Sequence, residues 1–235
     1  MKALLVAWFP VHSMRGWIVR GYANDPFRFS LALGRSFLAT FKMTKSVIPL
    51  SIRIGVGQRL ITSRGKNAKL EISGAITVAG WGGSYLPSSL ILGDDSCVRI
   101  LGNFMIGPNV HISTRAGAEI EFGGESKSSG SGITCNSRIM AENSIKIGAD
   151  SIMAWDVLVT DSDWHRIERS QRIEAVEIGD SVWIAHGVSV LKGSFIPSGS
   201  IVGAKSLVQA KFSGKNLLLA GTPARVIREG VQWER

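Results

Sequence analysis

Residues 178–208 read IGDSVWIAHGVSVLKGSFIPSGSIVGAKSLV, and an aliphatic side chain returns every six positions, at Ile178, Ile184, Val190, Ile196, Val202 and Val208. Four residues after each of the first five stand Val182, Val188, Ser194, Ser200 and Ser206, all small or β-branched, while Gly179, Ala185 and Gly203 directly follow the aliphatic position. A period of six does not fit the 3.6 of an α-helix, and an antiparallel sandwich would alternate without keeping one fixed spacing for so long. It fits a parallel β-helix, in which each flat face sends one large aliphatic group into a narrow core, a small residue fits beside it, and Gly or a polar residue turns the corner. A single coil cannot bury its apolar edge alone, so coils must stack.

The same grammar extends upstream through Ile147, Met153 and Val159, with Ser151 and Val157 in the small positions, and more raggedly through Ile133 and Ile139. Fainter copies start at Leu92 and Ile106, which places the solenoid over residues 55–210, between a basic N-terminal segment at 1–54 and a C-terminal extension at 211–235. Three segments break the period and must leave the coil as loops: Gly80 to Ser89, Gly123 to Gly132, and Thr160 to Ala175. The second is a Gly/Ser tract and reads as a connector. The third, around TDSDWHRIERSQRIEA, is dense in titratable groups and starts straight off a regular coil, where solenoids carry function.

Composition narrows the classes. The chain has 235 residues with 27 Gly and 7 Pro, which describes an ordered protein that turns often. Its two cysteines, Cys97 and Cys135, make no disulfide framework and read as small packed residues in a reducing, cytoplasmic setting. The net charge of +9 is concentrated: residues 1–70 hold 12 Lys/Arg and one acid, Asp25, whereas the rest is close to neutral. Such a segment can be a solvated face, or it can meet an anionic glycan, a membrane surface or cofactor phosphates. The apolar opening at Ala3 to Phe9 is too short for a membrane span, and no nucleic-acid partner is expected. Between Phe27 and Ile52 the apolar pattern, punctuated by Arg28, Arg35, Lys42 and Lys45, suits an amphipathic helix ending near Pro49.

Of the four histidines, His12 lies in the N-terminal segment and His111 in a turn position of a ragged coil, whereas His165 is flanked by Asp161, Asp163 and Trp164. A carboxylate there could orient the imidazole, and a histidine suits proton removal from a hydroxyl near neutral pH. A lone histidine often serves structure instead. No cysteine adjoins His165 and no GxSxG is present, so nothing points to an acyl-enzyme.

The run Ile145–Asp161 followed by His165, then Val176-Glu-Ile-Gly-Asp-Ser-Val-Trp-Ile-Ala, then Leu219-Ala-Gly-Thr-Pro-Ala-Arg-Val-Ile-Arg, resembles the hexapeptide-repeat O-acetyltransferases, which include galactoside, maltose and polysaccharide acetyltransferases. The resemblance spans roughly residues 90–230 and leaves 1–70 unexplained. It implies an all-β, left-handed parallel β-helix, an exception to the usual crossover hand, and a homotrimer with active sites between subunits. It implies acetyl-CoA as co-substrate, no metal, and a hydroxyl of a sugar or surface polysaccharide as acceptor. His165 would be the general base, with Asn136 matching an active-site Asn and Asp161 a candidate to orient the base. Cofactor contacts would fall near Ala154, Trp183, Ala185, His186 and Ala204, with Arg225 and Arg228 on phosphates; Ala185 and His186 lie where a backbone amide could hold the oxyanion.

The match has gaps. A Thr-Lys pair expected after the Ala204 coil is Gln209-Ala210, with Lys211 one step on, and His186 replaces a small polar residue. Three other readings stay open: an N-acetyltransferase acting on an amino sugar or nucleotide sugar, a zinc β-helix carbonic anhydrase, for which the close pair of His ligands is missing, and a non-enzymatic solenoid that grips anionic glycan.

Overall fold

The computed structural model describes residues 17–18, 23, 25–46, 49–80, 85–126, 130–166 and 168–234. The apolar opening at 3–9 and His12 lie outside them.

The chain winds through three sheets of nine, seven and six strands, parallel except for the last strand of the first, visited in the repeating order A, B, C, so it forms the three-faced parallel β-helix that the period of six demands. In the most regular coil Ile184 pairs with Val202 on sheet A and Val190 with Val208 on sheet B, eighteen residues per turn. The six periodic aliphatics fall on sheets C, A, B, C, A and B in turn, and every one is buried. Ser194, Ser200 and Ser206 are buried beside them without loss, because each hydroxyl is bonded: Ser194 Oγ donates to the Val208 carbonyl, Ser200 Oγ accepts from the Leu217 amide, and Ser206 Oγ donates to the Gly203 carbonyl. Phe104 and Phe122 meet in the core with ring centroids 4.5 Å apart.

The three breaks in the period emerge at three different edges. Ser88–Leu92 is a strand of sheet B, so the first insertion ends before Ser88 and sits between sheets A and B. The Gly/Ser segment joins sheet C to sheet A, and residues 161–175 join sheet B to sheet C.

Solenoid ends are unpaired sheet edges that need covering. At the N-terminal end this is done by helix α1 (Pro26–Thr44), which starts on an Asp25 N-cap accepting from the Arg28 amide at 2.9 Å. Its inner face carries Ser36 and Thr40, whose hydroxyls take the Ile54 and Ile52 amides of the first strand at 2.8 and 3.1 Å. The helix stops at Lys45, in left-handed conformation, four residues short of Pro49. The solenoid thus begins at Ile52, inside the segment expected to precede it. At the other end Leu218–Gly221 continues sheet A, and Ala224–Arg228 folds back on it antiparallel, so residues 211–235 contribute strands as well as an extension. Both cysteines are free thiols, Cys97 buried and Cys135 partly so.

Candidate active site

His165 stands on an antiparallel hairpin raised from the edge between sheets B and C. Its base is built by a Ser162–Ile173 bridge, by the Asp163 amide donating to the Arg172 carbonyl at 3.0 Å, and by the Glu174 amide donating to the Asp161 carbonyl at 3.0 Å. Two ion pairs anchor it to neighbouring coils: Arg172 Nη1 lies 2.5 Å from Glu142 Oε2, and Lys192 Nζ lies 2.7 Å from Asp163 Oδ2. Trp164 turns the chain at φ 62, rare for a bulky residue, and its amide donates to Ser162 Oγ at 2.9 Å. The next residue, His165, is exposed at the tip.

Both flanking aspartates are engaged by other groups. Asp161 is completely buried, and its carboxylate accepts from the Glu142, Asn143 and Ser144 amides at 2.7–2.8 Å, tying the corner of the preceding coil. Burial pushes its pKa up while those amides pull it down. Asp163 is engaged by Lys192. The expectation that Asp161 orients His165 therefore gives way to a role at the hairpin's foundation: a buried carboxylate takes the strongest donors within reach, and here those are backbone N–H groups. Glu142 is held below the ordinary carboxylate range by the hydrogen bond from Arg172, against a desolvation effect, with Ser162 adding to the lowering.

A second group of expected residues lies on another edge, between sheets A and B. Asn109, Asn136, Asp156, Gly187 and Lys205 occupy successive coils there, all with φ between 51 and 68. Their amides bond upward to the carbonyls of Leu86, Pro108, Cys135, Trp155 and His186. Beside this column runs one of small residues: Gly107, Thr134, Ala154, Ala185, Gly203 and Ala220, joined from coil to coil by backbone hydrogen bonds or strand register. A Cβ at Gly107 would stand 1.3 Å from the Thr134 carbonyl oxygen, so that coil can pass only as glycine. Ala154 and Ala185 share this column. Ala204 does not, because Gly203 holds its phase and Ala204 follows His186 in the adjacent column.

The small-residue column ends at Ala220, which pairs with Arg225 on the terminal strand; Arg228 pairs with Leu218, and both guanidiniums are exposed. Trp183 is on the outer surface of sheet A, lining a groove of ≈ 290 Å³ with Met105, Gly132, Thr134, Ile152 and Ala154. Its indole sits 6.1 Å from that of Trp233, whose Nε1 donates to the Ser181 carbonyl at 2.9 Å. Lys211 falls elsewhere, bonded through Nζ to Glu174 Oε1 at 2.8 Å beside the hairpin base.

The sequence reading missed two features. Trp155 stacks on His186, with centroids 5.5 Å apart. The signal was present, because Met153-Ala154-Trp155 and Ile184-Ala185-His186 share one phase of the repeat. His111 is on a strand, not in a turn, and holds a chain of polar groups: Ser89 Oγ lies 2.8 Å from Nδ1, Asn109 Oδ1 lies 2.8 Å from Nε2, and Asn109 Nδ2 donates to Asn136 Oδ1 at 3.1 Å. With Asn109 Oδ1 accepting, Nε2 carries the proton and Nδ1 accepts from serine. Burial, and then the charge of Arg138, lower the His111 pKa. That network fixes the carboxamide of Asn136.

In one chain, then, Asn136, Ala154, Ala185 and His186 share an edge, and His165 stands on a different one. No hydrogen bond or ring contact joins Trp164 or His165 to Asn136, Trp155 or His186 among the described residues. No group of three metal-ligating side chains gathers among them either.

No family model matches the chain, and no curated protein matches it. Among solved structures, it is similar to a polysialic acid O-acetyltransferase at 23% identity over 78% of this chain and 90% of the other, with a TM-score of 0.47. It is also similar to a polysialic-acid-specific acetyltransferase at 23% identity over 79% and 89%, TM-score 0.40, and to a maltose O-acetyltransferase from Clostridium difficile at 17% identity over 88% and 90%, TM-score 0.38.

Proposed function

We propose that the chain transfers an acetyl group from acetyl-CoA to a hydroxyl of a sugar or polysaccharide, with His165 as general base. The small-residue column carries this reading. A pantetheine arm needs a strip where it can lie close to backbone amides, and Gly107, Ala154, Ala185 and Gly203 supply one that ends beside a guanidinium, Arg225, suited to phosphate. In the transfer, His165 removes the acceptor's proton as its oxygen attacks the thioester carbonyl. A backbone amide near Ala185 holds the developing oxyanion, and the departing thiolate takes the proton back from His165.

Because the base and the cofactor edge are separate in one chain, the reading calls for a second copy whose B/C edge meets this copy's A/B edge. A head-to-tail contact of that kind gives a ring when its rotation closes, and the homotrimer is the ring that the family resemblance implies. The test is transfer from labelled acetyl-CoA to hexoses, sialic acids, oligosaccharides and amino sugars. His165→Ala is expected to lose about 10²-fold or more of turnover while coenzyme A still binds. Retained turnover in that variant overturns the assignment, and transfer confined to amine acceptors replaces the hydroxyl half of it.

A further inference from the structure

The outer face of α1 is the wrong way round for a cap exposed to water. A solenoid's terminal cap ordinarily turns a polar face outward. Here, opposite the buried Phe29, Ala32, Ser36, Ala39 and Met43, stand Phe27, Leu31, Leu38 and Phe41, exposed by 75, 49, 68 and 53%. At 3.6 residues per turn these four fall within an arc of about 80°, forming a continuous apolar ridge along the helix. Arg28, Arg35 and Lys42, at seven-residue intervals, run down one flank of that ridge.

The cations are not cancelled. Arg35 Nη1 donates to the Gln58 carbonyl at 3.2 Å and Lys42 Nζ to the Thr62 carbonyl, so both are steadied by neutral groups and keep their charge. Among the described residues, Arg28 alone of these three pairs with an acid, Asp25, at 3.4 Å. Between α1 and the strand Leu60–Arg64 opens a cleft of ≈ 350 Å³ lined by Arg35, Lys42 and Arg59 together with Leu38 and Ile61, the last of these 52% exposed. Cationic heads and large apolar side chains meet in one place, at the end of the molecule.

We propose that this end docks on an anionic lipid surface, with Phe27, Leu31, Leu38 and Phe41 entering the headgroup–acyl boundary and the Arg35–Lys42–Arg59 cleft taking a lipid phosphate. A soluble anionic glycan would satisfy the charges and leave the ridge in water. A lipid surface satisfies both, because it offers negative charge above hydrocarbon. The helix lies on such a surface and does not cross it: no described helix is long and apolar enough to span a membrane. This inference does not depend on the acetyl-transfer reading.

The test is co-sedimentation of the full chain with phosphatidylcholine vesicles, with and without phosphatidylglycerol, at low salt and at ~0.5 M salt, where charges are screened within about 4 Å. The wild type is expected to sediment with the anionic vesicles alone and to lose about tenfold of its affinity at high salt. Leu38→Glu with Phe41→Glu is expected to abolish binding with an unchanged circular dichroism spectrum, because both side chains are exposed. Arg59→Ser is expected to weaken binding to the anionic vesicles and to reduce its loss at high salt. Three outcomes overturn the proposal: no sedimentation of the wild type, vesicle binding unaffected by Leu38→Glu/Phe41→Glu, or a lower molecular mass in that double variant by light scattering, which would make the ridge a contact between copies.

Discussion

The indole of Trp155 lies over the imidazole of His186, with ring planes 23° from parallel and centroids 5.5 Å apart. The two residues are one coil apart on the edge between sheets A and B, each directly following its neighbour, Ala154 or Ala185, of the small-residue column. Removing the indole in Trp155→Ala is expected to cost about 0.5–1.5 kcal/mol, a fall of a few degrees in Tm. It is also expected to weaken coenzyme A binding measured by calorimetry. An unchanged dissociation constant would separate the stack from the cofactor path.

Asp161 gives the sharpest stability prediction. Asp161→Asn offers an amide donor where the fold presents only N–H groups, leaving at least one buried donor unmet at about 1–3 kcal/mol each. A lower Tm together with faster proteolysis within 164–171 is expected, because the carboxylate ties the coil from which the hairpin rises. A wild-type cleavage rate would show that the hairpin holds its shape without it.

The Glu142–Arg172 pair should make the hairpin acid-labile. The folded pKa of Glu142 lies below its ordinary value of 4.5, so the folded state binds fewer protons than the unfolded one in that range. The stabilisation is present above pH 4.5 and is lost as pH falls through the folded value. Thermal unfolding followed against pH should show this loss in the wild type and not in Glu142→Gln, which has no carboxylate to protonate.

His111 works in the same direction at higher pH. Burial and Arg138 keep its folded pKa below 6.5, so its contribution is complete above about pH 6.5 and is lost on acidification. Proton titration by NMR should give a His111 pKa below 6.5 that moves upward in Arg138→Ala. Absence of that upward movement would refute the electrostatic part of the cause.

Much of the fold was legible from Ile178 to Val208, because a six-residue period leaves one buried aliphatic per face whatever the rest of the chain does. The candidate site was legible only in pieces. His165 stood out because a titratable run interrupts a regular coil. The ion pair that anchors its hairpin did not, since Glu142 and Arg172 are thirty residues apart and meet only because a coil closes between them. Asp161 misled for a related reason: nearness in sequence to His165 suggested a partner, while the strand's direction sends the carboxylate inward to three amides.

By itself the sequence determined the repeat, the three places where the chain must leave it, and the basic character of the first seventy residues. These follow from local periodicity and composition, which need no knowledge of stacking. Tertiary structure alone decided which residues share an edge. Coils of eighteen residues or more bring Ala154 beside Ala185 and Trp155 beside His186, and they carry His165 to a different corner. Only the packed end of the solenoid decided that α1 buries Ser36 and Thr40 against the first strand and turns Leu38 and Phe41 outward, because a helix with apolar residues on two sides can seat either one until the edge it must satisfy is present.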